Sequence, residues 1–538
     1  MVGAGALLPG TASGEQAASG TYRVAGSFLD VGAVGSCAVL AGGHVRCWGR
    51  GTSGQLGYGS PDDIGDNETP GTVGPVDLGT RRTAVALSSG YNHSCAILDN
   101  GRVRCWGRNN NGELGYGNTD DIGDNETPDS AGPVKLGAGR TAVAISDGAD
   151  HSCAILDNGR VRCWGSNSSG QLGYPSKDAI GDDETPDAVG PVDLGAGRTA
   201  VAISGGGSHT CALLDNQRVR CWGAAFDGQL GYGNQHDIGD DETPGSVGPV
   251  DLGTKRTPVA ITGGNDHTCV ILDNGRVRCW GSNGSGQLGY PGKGNVGDDE
   301  TPASVGSVNL GAGRTAVAIS AGDDHTCALL DNGRVRCWGS NSDGQLGYPG
   351  SGNVGDDESP GSVGPVDLGA GSRAVAIAAG ALHTCALLDT GRVRCWGDGN
   401  DGQLGYGNED AIGDNETPGS VGPVSLAGKV PTRAASELSL KAKPRRDRAK
   451  PFKFRLSGEL DGFIPDLATC AGEVTVRAAR GAKAAGSASA SLRLDRGRCL
   501  YRARLKATRR GRLRLTARFP GDTNLRSDRS GVVKIRAG

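Results

Sequence analysis

A 58-residue period governs this chain. Cysteine pairs ten residues apart recur along it: Cys37 with Cys47, Cys95 with Cys105, Cys153 with Cys163, Cys211 with Cys221, Cys269 with Cys279, Cys327 with Cys337 and Cys385 with Cys395. A fixed period of this length means one supersecondary unit stacked many times, which overrides the several independent domains that 538 residues would otherwise suggest.

The unit contains a β-hairpin. In the third copy, Cys153, Ile155, Val161 and Cys163 alternate with period two, and Asp157-Asn158-Gly159 is turn chemistry in which glycine takes a positive φ. A three-residue loop ending in that glycine pairs Leu156 with Arg160. Ile155 then faces Val161, and Cys153 faces Cys163. The register predicts a cross-strand disulfide in each copy, and with it an oxidising compartment. Zinc does not suit the pattern, because the offset contains no CxxC element and one narrow hairpin leaves two ligands unsupplied.

Each hairpin runs into Trp-Gly and then Gly-Gln-Leu-Gly-Tyr, with Glu113 standing for Gln in the second copy. All seven tryptophans occupy the Trp-Gly position, the expected place for a packing anchor between neighbouring units. An acidic loop, a Pro-Val-x-Leu segment and an Ala-Val-Ala-Ile segment follow. Four short strands per copy make an all-β propeller blade. The first strand is expected over residues 22–31. No Pro-Val-x-Leu segment precedes the first hairpin and one, residues 423–426, remains after the last. That segment is expected to complete the first blade and close a seven-bladed ring over residues 22–428, leaving no open edge.

Beyond a linker at 429–436 the period stops. Residues 437–538 hold about seven alternating segments with Cys470 and Cys499 between them, expected as a disulfide-bonded, immunoglobulin-like β-sandwich without the usual core tryptophan. From Arg433 onward there are 27 Lys and Arg against 9 Asp and Glu, a surplus of 18, so the remainder carries 22 net negative charges within the overall −4. Residues 1–21 are read as a signal-peptide remnant or a disordered N-terminus. No apolar run reaches the roughly 18 residues of a membrane helix.

Motifs such as Ser88-Ser89-Gly90-Tyr91-Asn92-His93-Ser94, together with the Gly-Gln-Leu-Gly elements, resemble the RCC1 (regulator of chromosome condensation) repeat family. His151, His209, His267, His325 and His383 repeat the pattern, and Gly35 replaces the histidine in the first copy. The resemblance covers residues 22–428 and implies a seven-bladed propeller. Cysteine replaces the usual apolar residue near the histidine, and the acidic loop resembles secreted bacterial members.

Six histidines at one repeated position suit structural hydrogen bonding, since an active site needs different residue types converging at one place. Asp182-Asp183-Glu184, Asp240-Asp241-Glu242, Asp298-Asp299-Glu300 and Asp356-Asp357-Glu358 have the carboxylate density and the sharp glycine bend of a calcium loop; a solvated acidic rim and turn capping fit the same residues. Arg502, Arg504, Lys506, Arg512 and Arg514 could form a polyanion-binding surface on the basic domain. No nucleophile–base set or phosphate-cradling loop stands out, so the expected role is non-enzymatic. The chain is expected to act as an extracellular or cell-surface monomer that recognises a protein or cell-envelope partner through propeller loops. Alternatives are an inhibitor of an extracellular enzyme and, by family analogy, a guanine-nucleotide-exchange regulator. The constant 58-residue pitch argues against the latter, because it singles out no blade.

Overall fold

The computed structural model describes residues 28–253 and 256–428, together with a set of strands between 437 and 537. The chain divides into two compact units with the boundary between Val430 and Pro431. Among the described residues the only helical element is the 3₁₀ turn Pro302–Ser304, and no helix is long and apolar enough to cross a membrane.

The repeats form seven three-stranded antiparallel sheets. Their first strands are Leu29–Val31, Ala84–Ser89, Ala142–Asp147, Ala200–Gly205, Pro258–Gly263, Ala316–Ala321 and Ala374–Ala379. Each leads into the Cys-Cys hairpin, represented by His151–Leu156 and Val161–Gly165. The hairpin register is the expected one: Ile155 faces Val161 and Cys153 faces Cys163. Leu156 N–H donates to Arg160 O at 2.8 Å, and Gly159 takes φ 76°. All seven repeat disulfides form, with Cα–Cα separations of 4.0–4.1 Å. The Cys470–Cys499 pairing lies outside the described residues.

Two expectations change. Each repeat has three ladder strands, not four. The Pro-Val-x-Leu segment makes one backbone bond to its own hairpin, as from Val192 N to Val161 O at 2.9 Å, and a leading proline has no N–H with which to extend the pairing. Residues 423–426 obey the same rule: Val424 N–H donates to Val393 O, so the segment belongs to the seventh repeat and does not complete the first. The first strand begins at Leu29; residues 22–27 lie outside the described set.

The repeats are joined by side chain to main chain bonds. Each tryptophan indole N–H donates to the Gln carbonyl of the preceding repeat, as Trp106 to Gln55 O, and Trp164 to Glu113 O in the second repeat. The seventh such bond runs from Trp48 to Gln403 O at 3.0 Å, linking the first repeat to the last. All seven indoles are fully buried. At about 150–250 Å² each, this burial contributes roughly 4–6 kcal/mol gross per ring before the entropy of ordering is subtracted.

The acidic loop of one repeat closes on the Gly-Gln-Leu-Gly turn of its neighbour through paired glycines. Gly123 (φ 105°) lies so close to Gly54 that a Cβ would sit 2.3 Å from Gly54 O. The same contact recurs between Gly181 and Gly112, and between Gly65 and Gly402. Only a residue without Cβ allows this backbone approach.

The C-terminal unit contains a five-stranded and a six-stranded sheet. Phe452–Asp461 pairs with Arg498–Ala507 in the first, and Glu473–Arg480 pairs with Gly511–Phe519 in the second. Val476, Ala478, Leu505 and Leu515 are buried.

Candidate functional site

Two sets of loops meet at the end of the blades where His151 faces Gly165. The inner set joins first and second strands and carries residues 32–34, 90–92, 148–150, 206–208, 264–266, 322–324 and 380–382. The outer set follows the third strand. Backbone bonds hold the sets together, including Ser166 N to Asp150 O, Ala224 N to Ser208 O and Asp398 N to Leu382 O, all at 2.8–2.9 Å. The inner loops converge: the Tyr91 hydroxyl reaches from the second repeat to Asn265 Oδ1 at 3.4 Å and Asp323 Oδ2 at 3.3 Å in the fifth and sixth.

This face is acidic over the fourth to sixth repeats. Gln229 Nε2 donates to Asp266, Gln287 Nε2 to Asp324, and Asn295 Nδ2 to Asp227 Oδ1. Burial, then Asp227, Asp324 and Asp323, push the Asp266 carboxyl up to about 6. Burial raises Asp324 as well, with Asp227 adding to it. Beside Asp227, Phe226 is 55% exposed, and Leu382 on an inner loop of the same face is 37% exposed. Phe226 stands where the other repeats carry Thr52, Asn110, Ser168, Gly284, Ser342 and Asn400, whereas the convergence of Tyr91 on Asp323 leaves no mark in the sequence, because it joins residues more than two hundred positions apart.

The six repeat histidines are structural. Each Nε2 is 2.8–3.0 Å from the hydroxyl of the next repeat: His93 with Ser152, His151 with Thr210, His209 with Thr268, His267 with Thr326, His325 with Thr384 and His383 with Ser36. Burial pushes them down to about 3, or about 4 for His209, so they are neutral at physiological pH.

In each of the four acidic triplets, Asp182-Asp183-Glu184, Asp240-Asp241-Glu242, Asp298-Asp299-Glu300 and Asp356-Asp357-Glu358, one carboxylate oxygen per residue falls within 4.8 Å of the others. Burial and the hydrogen bond with the neighbouring aspartate push Glu184 and Glu358 up to about 7 and raise Glu242 and Glu300. The set is all hard oxygen donors, the type that calcium takes. The same loops also carry the paired-glycine contacts between repeats, a packing role that the acidic residues hid at the level of sequence.

The basic candidates separate. Arg502, Arg504 and Lys506 are in Arg498–Ala507 of the five-stranded sheet, with Arg502 and Arg504 exposed, whereas Arg512 and Arg514 are in Gly511–Phe519 of the other sheet. They are divided between the two sheets of this unit. Within each, cations stand opposite cations: Arg504 opposes Arg455, Lys506 opposes Lys453, Arg512 opposes Arg536 and Arg514 opposes Lys534.

The comparisons with known proteins agree with this architecture. The RCC1-like domain matches residues 8–289, and the regulator of chromosome condensation (RCC1) repeat matches residues 274–329 and 332–387. The ultraviolet-B receptor UVR8 of Arabidopsis thaliana is 32% identical over 382 residues, covering 70% of this chain and 78% of the receptor. The probable E3 ubiquitin-protein ligase HERC6 of Homo sapiens is 33% identical over 51% of this chain, a match that spans only 25% of the ligase. Among solved structures, yeast RCC1 (Prp20) bound to Kap60 aligns with a TM-score of 0.55 at 20% identity, covering 76% of this chain and 89% of that one. Human WBSCR16 aligns with a TM-score of 0.52 at 20% identity over 68% of this chain and 87% of its own. By its repeats, its seven three-stranded blades and these matches, the chain belongs to the RCC1-like repeat family.

Proposed function

We propose that this chain is a secreted or cell-surface binding protein whose repeats close into a seven-bladed propeller and whose loop face holds a protein partner. The observation that carries the reading is Phe226, 55% exposed next to Asp227 on a face where Asp266 and Asp324 gather. An exposed aromatic within an acidic surface suits a partner segment rich in Lys or Arg, which can pair with the carboxylates and stack on the ring. The bond from Trp48 to Gln403 supports ring closure, and the seven buried disulfides support an oxidising compartment. A structure of yeast RCC1 holds Kap60, and the yeast protein Prp20 was characterised for binding Gsp1p and histones, so protein recognition has precedent on this fold. The role is one of binding and not catalysis, and inhibition of an extracellular enzyme is the form of binding that Phe226 would also serve.

In this reading the four acidic triplets are calcium loops that brace the ring's rim. The C-terminal unit is an immunoglobulin-like sandwich that attaches to polyanion, a role supported by the directly opposed cations of its strands, which repel one another unless an anion lies over them. The test of the main reading is recovery of partners from the native envelope with the whole protein and two variants. Phe226→Ser should lose the partner, while Arg218→Gln, at a hairpin turn on the opposite end of the same blade, should keep it. Equal recovery by both variants would remove the loop face from consideration.

A further inference from the structure

At the opposite end of the second blade the chain departs from its own repeat. Four repeats carry Gly-Ala-Gly before the first strand, as in Gly137-Ala138-Gly139, and the third of these residues is left-handed, with φ 71° at Gly139, 72° at Gly197, 69° at Gly313 and 75° at Gly371. The second blade has Gly79-Thr80-Arg81 instead, and the fifth has Gly253-Thr254-Lys255. Arg81 holds φ 64°, a left-handed conformation that costs a residue with a Cβ and that, among the described non-glycine residues, recurs only at Gln217 and Ala427. The next residue, Arg82, pairs with Asp99 at 3.1 Å.

A second departure lies alongside. In five repeats the third-strand arginine donates to two carbonyls of its own long loop, as Arg162 does to Pro186 O and Val189 O. Arg104 reaches only Pro128 O, at 3.2 Å, and turns its other contact to Asp129 Oδ1 at 2.5 Å. Gly79 makes room for that pair, since a Cβ there would stand 2.4 Å from the Asp129 carboxylate.

Between these elements lies a cleft of about 360 Å³. Its wall includes Arg82, Arg102 and Arg104, the Thr80 and Asn100 positions, and the apolar Leu98 and Pro133. Arg102 is exposed and its guanidinium has no hydrogen-bond or ion-pair partner. Three arginines with Arg81 adjacent, against Asp99 and Asp129, leave a local surplus of positive charge. Guanidinium groups bind tetrahedral oxyanions through paired N–H donors. The volume falls in the range of small-ligand sites and exceeds what a bare ion needs, and Leu98 and Pro133 offer an apolar side to the rest of a ligand.

We propose that this cleft is an oxyanion site that takes the phosphate or sulfate group of a small ester, with Arg102 as its free ligand and Arg82 and Arg104 held ready by their aspartates. It is independent of the loop face at the other end of the blades, so either reading can fail alone. The experiment is calorimetric titration of the whole protein with inorganic phosphate, inorganic sulfate and glycerol 3-phosphate, each against chloride at matched ionic strength. Arg102→Gln should weaken binding about tenfold, while Arg160→Gln, the equivalent turn residue of the next repeat, should leave it unchanged. Arg81→Gly should raise the melting temperature in the absence of ligand and weaken binding severalfold. Tighter binding of the ester than of phosphate identifies the ester; equal binding places the free ion in the same site. No heat beyond that of chloride, or equal losses in Arg102→Gln and Arg160→Gln, overturns the proposal, the latter because the anion would then be sensing the ring's periodic charge.

Discussion

Gly35 is a natural deletion of the histidine that locks every other seam. It pairs with Gly49 as His93 pairs with Gly107, so its position in the blade is the same. At the six other seams an imidazole reaches the hydroxyl of the next repeat. At this one Ser94 Oγ keeps the bond to Gln55 O, at 3.3 Å, that its counterparts make at every seam, has Ser89 Oγ at 3.4 Å, and lacks the imidazole, leaving a cavity of about 10 Å³ among Gly35, Ser36, Ser89 and Ser94. A Cβ at position 35 would meet nothing nearer than Trp48 O at 3.4 Å, and the backbone there is not left-handed, so a side chain can be introduced. Gly35→His should add one buried hydrogen bond to Ser94, about 1 kcal/mol, and remove the unfolded-state freedom of a glycine, about 0.4–1 kcal/mol. The cavity holds about one water and not a whole ring, so some repacking is subtracted, leaving a net gain of about 1 kcal/mol. The gain carries its own control. Burial lowers the pKa of the six native imidazoles, and it will lower that of the introduced one below its unfolded value of about 6.5. A depressed histidine pKa stabilises fully above pH 6.5, and that stabilisation is lost at about 1.4 kcal/mol per unit as pH falls toward the folded value. Urea unfolding with disulfides intact should therefore show the variant more stable than the parent at pH 8, equal to it at about pH 5.8 and weaker at pH 5. The parent's buried carboxylates cancel in the difference. A variant less stable at pH 8, or one whose advantage persists at pH 5, would refute the reasoning.

Thiol titration of unreduced, denatured protein should find none of the fourteen repeat cysteines free, and reduction should lower the melting temperature, since each bridge over so short a loop contributes roughly 2–3 kcal/mol in the chain-entropy view. Gly123→Ala should destabilise the protein by at least about 2 kcal/mol in denaturant titration, because it forces both a left-handed φ of 105° and a contact with Gly54 O, whereas Gly190→Ala, with open space around it, should change stability by less than about 0.5 kcal/mol. Millimolar calcium should raise the melting temperature over chelator-treated protein, and Asp182→Asn combined with Glu184→Gln should reduce the response; an unchanged melting temperature leaves the triplets as turn residues alone.

Much of the architecture was legible because the repeat makes local rules count seven times. A turn ending in glycine sets the hairpin register, the register sets which cysteines meet, and one correct copy predicts the other six. What escaped the sequence was pairing between repeats. The segment at 423–426 looked spare because strand counting treats every apolar tetrapeptide as a ladder strand, whereas one N–H to Val393 O is all that the proline-led segment supplies. Ring contact was sought in a shared strand, but the first and last repeats meet through Trp48 with Gln403, His383 with Ser36 and Gly65 with Gly402, the same three contacts that join every other neighbour or nearly so. The candidate sites follow the same logic in reverse. Periodic residues, however chemical they look, turned out to hold neighbours together: the histidines bind hydroxyls, and the acidic loops place their glycines against the adjacent turn. Positions that break the period carry the distinctive surfaces instead. Phe226 stands exposed where other blades have small or polar residues, and Arg81 accepts a glycine's conformation. In a chain built from near-identical units, stability is written in the repetition, so recognition has to be written in its exceptions.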